Sequence, residues 1–311
     1  MTTTATRESF GKALLELGHR NPDIVVVGGD LNISTFAHLF AKEFPNRFFD
    51  LGPAEQNMMS IAAGLAASGK IPFVSTFAVF GTARPYDQIR VNIAQMKSNV
   101  KIVCTHAGLL TGEDGISAQS IEDIALMCAL PGFNVVVPSD GPETESVVKL
   151  AAEISGPFYI RLSRPATDVI HQTPTNFVLG KAEELRSGSD LSIIACGIMV
   201  SASLKAATEL AKEGIQATVI NMSTLQPLDE KAVLSALDTG AIVTAEEHYI
   251  HGGLGSLIAQ SAARQGAVPI EMVATTRYAE SGKPDELLTK YGLSSSDIVD
   301  AAKRVVGRKR D

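Results

Sequence analysis

The sequence has 311 residues with 45% hydrophobic and 20% charged content, and its formal net charge at pH 7 is −7. This length suffices for two domains, no apolar run is long enough to span a bilayer, and the acidic balance argues against a general nucleic-acid-binding protein. The start, Met1 to Arg7, lacks the apolar core of a signal peptide. The three cysteines lie in apolar runs without close pairing, which indicates reduced thiols, so we expect a cytoplasmic protein.

Short apolar runs alternate with helical patterns through the first half of the chain. Residues 10–17 have helical apolar spacing, 24–28 form a β-branched run that ends in glycine, and Ser34 is the predicted N-cap of the following helix. Further strands are predicted at 47–50, 71–76, 100–105, 134–137 and 158–162. This alternation predicts a parallel sheet that is covered by helices on both faces.

The alternation lapses after Arg164-Pro165 and resumes near residue 190. We interpret residues 166–180 as a linker, because they show little periodicity. Strands follow at 191–195, 217–220 and 241–245, and helices at 200–212, 229–237, 253–264 and 295–306. The sequence therefore predicts an α/β protein with two domains, at 1–165 and 181–311.

The stretch from Leu51 to Met59 lies between the strand at 47–50 and a helix of small residues. Gly52 and Pro53 break regular structure, so Glu55 falls in the first turn of that helix. The carboxyl end of a strand is where ligand sites of open α/β sheets lie. An acidic residue at a helix N-terminus can also have no role beyond a favourable interaction with the helix dipole. Evidence for a ligand site at Glu55 must therefore come from other stretches of the sequence.

Further chemical side chains follow other strands at the same predicted edge of the sheet. Phe77 and Phe80 are either core residues or an aromatic wall for a flat ring. His106 follows the next strand, and an ordinary histidine pKa would suit proton transfer near neutrality. Asp114, within Gly-Glu-Asp-Gly, can hydrogen-bond hydroxyl groups. Arg164 could contact a phosphate or form a salt bridge at the domain boundary.

Other polar stretches remain open to more than one interpretation. Arg84, Asp87 and Arg90 could form a solvated or an interfacial helix face. Gly252 and Gly253 precede a helix, which suggests anion capture, although no lysine follows as in a P-loop. Metal ligation is an alternative for a neighbouring set, Glu247, His248 and His251.

Taken together, these stretches resemble the transketolase family of thiamine-diphosphate enzymes. The resemblance is carried by the order and spacing of Gly29-Asp30-Leu31, Gly52-Pro53-Ala54-Glu55-Gln56, Thr76-Phe77-Ala78-Val79-Phe80, Thr105-His106, Gly112-Glu113-Asp114-Gly115 and Leu162-Ser163-Arg164. It runs along nearly the whole chain, but only along the C-terminal part of a full-length transketolase. That part consists of a thiamine-diphosphate pyrimidine-binding domain and a smaller transketolase C-terminal domain.

The resemblance implies transfer of a two-carbon ketol unit from a ketose phosphate to an aldose phosphate, as in the pentose phosphate pathway. Glu55 would hydrogen-bond the aminopyrimidine ring and so activate the cofactor, which serves as the electron sink. The implied catalytic residues are Glu55 and His106. The implied cofactor contacts are Asp30, Glu55, Phe77 and Phe80. The implied substrate contacts are His106 and Asp114 for sugar hydroxyls, and Arg7, Ser34 and Arg164 for the phosphate.

Two features depart from the family pattern. The run 115–119 has Ala118 where many transketolases have a histidine, and Ala83 replaces a third aromatic residue near the pyrimidine.

The Gly-Asp-Gly…Asn motif of a diphosphate domain is also missing from this sequence. The Mg²⁺ ligands are therefore expected from a partner, and none is assigned to this chain. We expect the C-terminal subunit of a split transketolase, which pairs with an N-terminal diphosphate-binding subunit in an α₂β₂ heterotetramer. The segment 84–95, predicted to be a helix, and the helix after Glu55 are candidate interface elements, and the isolated chain could form a homodimer.

Three alternatives share parts of this pattern. The β subunit of a 2-oxo acid dehydrogenase has a similar two-domain layout, but the Gly-Glu-Asp-Gly and Leu-Ser-Arg runs favour transketolase. Deoxyxylulose-phosphate synthase shares the domains and is normally one long chain. A non-catalytic regulatory partner would not need the set of Glu55, Phe77, Phe80 and His106.

Overall fold

The computed structural model describes residues 2–172, 175–266 and 268–309. Thr173 and Pro174 of the predicted linker lie outside the described residues. The first half contains β1 Thr3–Ala5, α1 Thr6–Arg20, β2 Ile24–Gly28, α2 His38–Glu43, β3 Phe48–Asp50, α3 Glu55–Ala67, β4 Ile71–Phe77, α4 Ala78–Ala83, α5 Tyr86–Gln88, β5 Lys101–Thr105, α6 Asp123–Cys128, β6 Asn134–Val136, α7 Gly141–Glu153, β7 Phe158–Arg161 and β8 Ala166–Asp168. The second half contains β9 Glu183–Arg186, β10 Leu191–Ala195, α8 Met199–Lys212, β11 Ala217–Asn221, β12 Thr224–Gln226, α9 Glu230–Leu237, β13 Ile242–Tyr249, α10 Leu254–Gln265, β14 Ile270–Thr275, α11 Pro284–Lys290 and α12 Ser295–Val306. Across these ranges no helix is both long and apolar enough to cross a bilayer.

The larger sheet has the strand order β3-β2-β4-β5-β7-β6-β12. Its strands pair in parallel, except that β12 runs antiparallel to β6. Strands β2 and β5 are buried along their full length, as expected for apolar runs covered on both faces. The predicted parallel α/β sheet is confirmed, and its carboxyl edge carries the side chains singled out above.

The smaller sheet has the order β14-β13-β10-β11-β9, with β9 antiparallel at one edge. Helices α8 and α12 pack on one face, where the apolar side of α12 is buried through Ile298, Ala302 and Val305. On the other face, Ile194 and Ile258 belong to the same continuous core as Met58 of α3 in the first half. The predicted second α/β domain is therefore confirmed as a fold, and it shares buried apolar surface with the first.

The first residues of the predicted linker 166–180 form regular structure instead. Residues 166–168 form β8, which pairs antiparallel with β1 at the start of the chain. In addition, β12 of the second half joins the edge of the first sheet. Both pairings are non-local, so sequence periodicity does not reveal them. The division into domains 1–165 and 181–311 stays a prediction.

One local prediction was wrong, and another was correct except at its start. Ser34 does not cap a helix, because α2 begins only at His38 and has Ala37 at its N-cap. The helix predicted from Arg84 to Gln95 is present but begins two residues later: α4 ends at Ala83, Pro85 follows, and α5 continues directly as a π-helix over Ile89–Ala94. Proline lacks a backbone N–H, so it can begin a helix but interrupts one that is already formed.

Candidate functional site

Glu55 is the first residue of α3, five residues beyond the end of β3. The chain turns at Gly52, whose φ of 65° lies in the left-handed region that favours glycine. The Glu55 side chain is only 5% exposed. It borders an open cavity of about 490 Å³ that is also lined by Pro53, Ala54, Gln56, Asn57 and Arg84. The structure therefore places this carboxylate at the carboxyl edge of the sheet, as the sequence predicted.

Arg84 contacts Glu55 directly, whereas its charged neighbours do not. Its Nη1 lies 2.9 Å from Glu55 Oε1, and its Cζ lies 4.0 Å from the centroid of the Phe80 ring. Asp87 and Arg90 instead form their own exposed ion pair at 2.7 Å. The three charged residues are therefore not one solvated face, because only Arg84 turns toward the candidate site.

Three rings form a row that begins beside Arg84. The centroids of Phe80 and Phe77 are 5.9 Å apart with near-parallel planes. Phe77 in turn stacks on the His106 imidazole at 3.7 Å. Stacked pairs of this kind contribute about 0.5–1.5 kcal/mol beyond area burial. The row brings four predicted site residues, Glu55, Phe80, Phe77 and His106, into one continuous series of contacts through Arg84.

The far end of this row is cationic. Burial, followed by the charges of Arg7 and Arg164, lowers the pKa of His106 to about 3. The expectation of an ordinary histidine pKa was therefore wrong, because two guanidinium groups and burial disfavour a protonated imidazole. His106 is neutral near pH 7, and its Nδ1 lies 2.8 Å from Thr105 Oγ1.

The two arginines around His106 differ in their partners. Arg7 Nη1 donates to the Ser34 carbonyl at 2.7 Å, and its buried Nε has no hydrogen-bond partner. Burial and the charge of Arg164 lower the pKa of Arg7. Arg164 donates to the Thr111 carbonyl at 2.7 Å and lies 3.3 Å from an exposed Glu113 oxygen. Among the residues that the structure describes, Arg7 forms no salt bridge with a carboxylate, although the charge of Glu8 acts on it, and a bound anion would add a direct partner.

The loop with the Gly-Glu-Asp-Gly run is held from the second half of the chain. It forms a 3₁₀ helix over Leu109–Asp114, which leaves Asp114 exposed at its end. The buried Glu247 of β13 accepts a hydrogen bond from the Leu110 N–H at 2.6 Å. Gly108 is required here, because a Cβ at this position would lie 2.2 Å from the Glu247 carboxyl carbon. Sequence reasoning considered Glu247 only as a metal ligand and missed this contact.

A buried ionic network supports the same region. Arg161 donates to Asp123 at 2.8 Å and, through Nη2, to the carbonyl of Glu247 at 2.9 Å. Tyr159 adds a hydrogen bond to Asp123 at 2.5 Å. Burial raises the pKa of Glu247 to about 7, although the Arg161 charge opposes this. No sequence signal identified this network, because its members lie far apart in the chain. Only Arg161 is next to a motif, the Leu162-Ser163-Arg164 run.

The N-terminus of α10 does not offer a free anion site. The carboxylate of Glu246 accepts hydrogen bonds from Leu254 N at 2.7 Å and Gly255 N at 2.8 Å. A Cβ at Gly253 would lie 2.0 Å from the same carboxylate. The expectation of anion capture after Gly252 was wrong, since the protein's own side chain fills that position.

The remaining predicted cofactor residue, Asp30, follows β2 at the same edge of the sheet. It is exposed, adopts a φ of 67°, and donates its backbone N–H to Asp50 Oδ1 at 3.0 Å. The preceding Gly29 lies against α3, where a Cβ would lie 2.7 Å from the Met58 sulfur. Asp30 is therefore held close to the helix that carries Glu55.

A metal site would need oxygen or nitrogen ligands that are free to coordinate. Among the residues that the structure describes, one group has suitable spacing: Asp140, Glu143 and His171. Its oxygens are already engaged, because Asp140 accepts from the backbone of Glu143 and His171, and Glu143 accepts from Ser139 and Asn221. The group serves the interior hydrogen-bond network and makes a poor Mg²⁺ site.

Comparisons with known proteins agree along nearly the whole chain. The family models described as "Transketolase, pyrimidine binding domain" and "Transketolase, C-terminal domain" match residues 2–169 and 180–298. A Methanocaldococcus jannaschii protein that carries the name of a transketolase C-terminal section is 43% identical over 96% of this chain and 95% of its own length. Mouse transketolase is 40% identical over 97% of this chain, which spans 49% of that enzyme.

Solved structures give the same result. A structure described as "Split gene transketolase, inactive beta4 tetramer" has a TM-score of 0.92 and 46% identity, covering 98% of this chain and 99% of its own. Transketolase from Leishmania mexicana has a TM-score of 0.85 and 25% identity, covering all of this chain but 47% of that enzyme. The chain thus spans about half the length of the longer proteins it matches.

Proposed function

Because this chain belongs to the transketolase family, we propose that it is a subunit of a thiamine-diphosphate-dependent transketolase. The reaction would transfer a two-carbon ketol unit from a ketose phosphate to an aldose phosphate. The observation that carries this proposal is the row of contacts from buried Glu55, through Arg84, Phe80 and Phe77, to His106, which feels the charges of Arg7 and Arg164. The row begins with a carboxylate and an aromatic surface, which suit the aminopyrimidine ring of the cofactor. It ends near cationic groups, which suit the phosphate of a sugar.

The residues at the Glu55 end fit the aminopyrimidine ring of thiamine diphosphate. Phe80 is half-buried, so part of its ring is open to stacking, and Glu55 lines a cavity together with Arg84, which contacts Phe80. When bound, the cofactor supplies an electron sink for breaking and making the carbon–carbon bond. The role of Glu55 is to hold and share a proton with the ring, and Asp30 would add a further contact from β2.

The other end of the row fits a phosphorylated sugar. Arg7 and Arg164 would bind the phosphate, with the segment around Ser34 holding Arg7 in place through its carbonyl. Neutral His106 can donate one hydrogen bond and accept another, which suits sugar hydroxyls near the reacting carbons. Asp114, at the end of its loop, would bind a further hydroxyl.

We also propose that the active enzyme needs a separate N-terminal subunit. The chain spans about half the length of mouse transketolase, and a solved relative that it covers almost fully is described as an inactive tetramer of one chain type. The Mg²⁺ and diphosphate contacts would come from the partner in an α₂β₂ assembly. Val91 and Met96 are exposed apolar residues in the segment after Arg84, which supports this segment as part of an interface.

The alternative families receive no support from the matched domains, which are both transketolase domains. The proposal is tested by mixing the chain with its partner subunit, thiamine diphosphate, Mg²⁺, a ketopentose phosphate and an aldopentose phosphate. We expect turnover only when both subunits are present. Absence of ketol transfer by a well-formed complex, with 2-oxo acid decarboxylation or no reaction in its place, would contradict the proposal.

A further inference from the structure

We propose that Arg84 closes the pyrimidine-ring site in the unbound chain, and that the cofactor's ring must displace this side chain in order to bind. The inference rests on the function proposed above, because the site in question is formed by Glu55 and Phe80. It assigns to Arg84 a gating role that opposes binding. The residue is therefore expected to weaken cofactor affinity, which is the reverse of what a binding residue would do.

The geometry makes the two occupants compete for Glu55 and Phe80. A flat ring that is hydrogen-bonded to Glu55 and stacked on Phe80 needs one carboxylate oxygen and one ring face. Arg84 already uses both, with Nη1 at 2.9 Å from Glu55 Oε1 and Cζ at 4.0 Å from the Phe80 centroid. A guanidinium group is itself planar, and it can lie on an aromatic face while it donates to a carboxylate.

The contact also has a reason to exist in the unbound chain. Glu55 is buried, and a buried carboxylate without a partner is costly. Arg84 provides that partner until the ring replaces it. The exchange leaves Glu55 hydrogen-bonded before and after binding, so the site can stay in its folded shape without the cofactor.

Arg84 is also free to leave. Its side chain is 51% exposed, while its backbone carbonyl accepts a hydrogen bond from Gln56 Nε2 at 3.4 Å. The main chain can therefore stay in place while the side chain swings into solvent. Half-exposed ion pairs and cation–π contacts are weak, so we expect the gate to reduce affinity by roughly 3- to 10-fold.

The test measures cofactor binding to the assembled complex, with thiamine diphosphate and Mg²⁺ as the probe and calorimetry as the readout. Arg84→Ala should lower the dissociation constant by about 3- to 10-fold. Arg84→Lys, which keeps the charge but not the flat group, should give a smaller gain. The matched control is Arg264→Ala, because Arg264 is an exposed arginine paired with Glu230 at 2.9 Å and lies outside the site and outside segment 84–95. Its dissociation constant should equal that of the unmodified complex.

Glu55→Gln separates the gate from the proposed function. Suppose that Glu55→Gln lowers the affinity for thiamine diphosphate, whereas Arg84→Ala does not raise it. The gating role of Arg84 is then refuted, but the cofactor site at Glu55 is supported. If the unmodified complex binds no thiamine diphosphate, both proposals fail. The gate requires that Arg84→Ala raises the affinity of the otherwise unmodified complex. It also requires that the same substitution gives no comparable gain in a complex that already carries Glu55→Gln.

Discussion

Glu247 holds the loop that carries Asp114, although it belongs to the other half of the chain. Its Oε1 accepts the Leu110 N–H at 2.6 Å, and its carboxylate packs against Gly108. Glu247→Ala would leave that buried N–H without a partner, which costs about 1–3 kcal/mol. If the loop shifts to recover this energy, the Michaelis constants for the sugar phosphates should rise by roughly 5- to 150-fold. Thiamine diphosphate affinity should stay unchanged, because the loop lies at the His106 end of the site.

The matched control for this substitution is Glu247→Gln. Glutamine keeps an oxygen acceptor where Glu247 Oε1 lies, so the loop should remain held and the Michaelis constants should stay near normal. Steady-state kinetics of the assembled enzyme, together with calorimetric titration of the cofactor, measure both quantities. Equal effects of the alanine and glutamine variants, or a loss of cofactor affinity as large as the loss for sugars, would refute the positioning role of Glu247.

Three further perturbations test other parts of the account. Glu55→Gln should leave the melting temperature near normal but reduce turnover by ~10²–10⁴-fold at saturating cofactor, and near-normal turnover would remove Glu55 from the chemistry. Arg164→Ala should raise the Michaelis constant for phosphorylated sugars by an amount equivalent to roughly 1.5–3 kcal/mol, and an equal effect on unphosphorylated analogues would make the residue structural. Burial lowers the pKa of His171, but the hydrogen bond and charge of Asp140 and the hydrogen bond of Glu183 outweigh this and raise it to about 9. Protonated His171 therefore stabilises the fold fully below pH 6.5 and loses this effect as the pH rises through about 9. Denaturant unfolding at several pH values should show this decline, and His171→Gln should lack it.

The sequence predicted those features that depend on short-range pattern. The β-branched run that ends at Gly28 is a fully buried strand, second from one edge of the sheet, and Gly52-Pro53 places Glu55 in the first turn of α3, as expected. The residues of the row could be chosen by their positions: Phe77 ends β4, Phe80 lies three residues beyond it, and His106 directly follows β5. Parallel strands bring their carboxyl ends to one edge, so this part of the site follows from topology alone.

The features that were missed depend on contacts between distant residues. Arg84 meets Glu55 across 29 positions, and Glu247 meets Leu110 across 137. The low pKa of His106 depends first on burial and then on the charges of Arg7 and Arg164, neither of which is near it in sequence. Such contacts arise only when the sheet is assembled. Residue type and spacing indicate the chemistry available, but the partner of each charge is set by the tertiary structure.

The central claim is that this chain supplies the pyrimidine half of a cofactor site whose other half comes from a partner subunit. The most direct measurement is isothermal titration of thiamine diphosphate, with Mg²⁺ present, into the chain alone and into its complex with the N-terminal subunit. We predict weak or undetectable binding to the chain alone and saturable, Mg²⁺-dependent binding to the complex. Tight, Mg²⁺-dependent binding by this polypeptide alone would contradict the account.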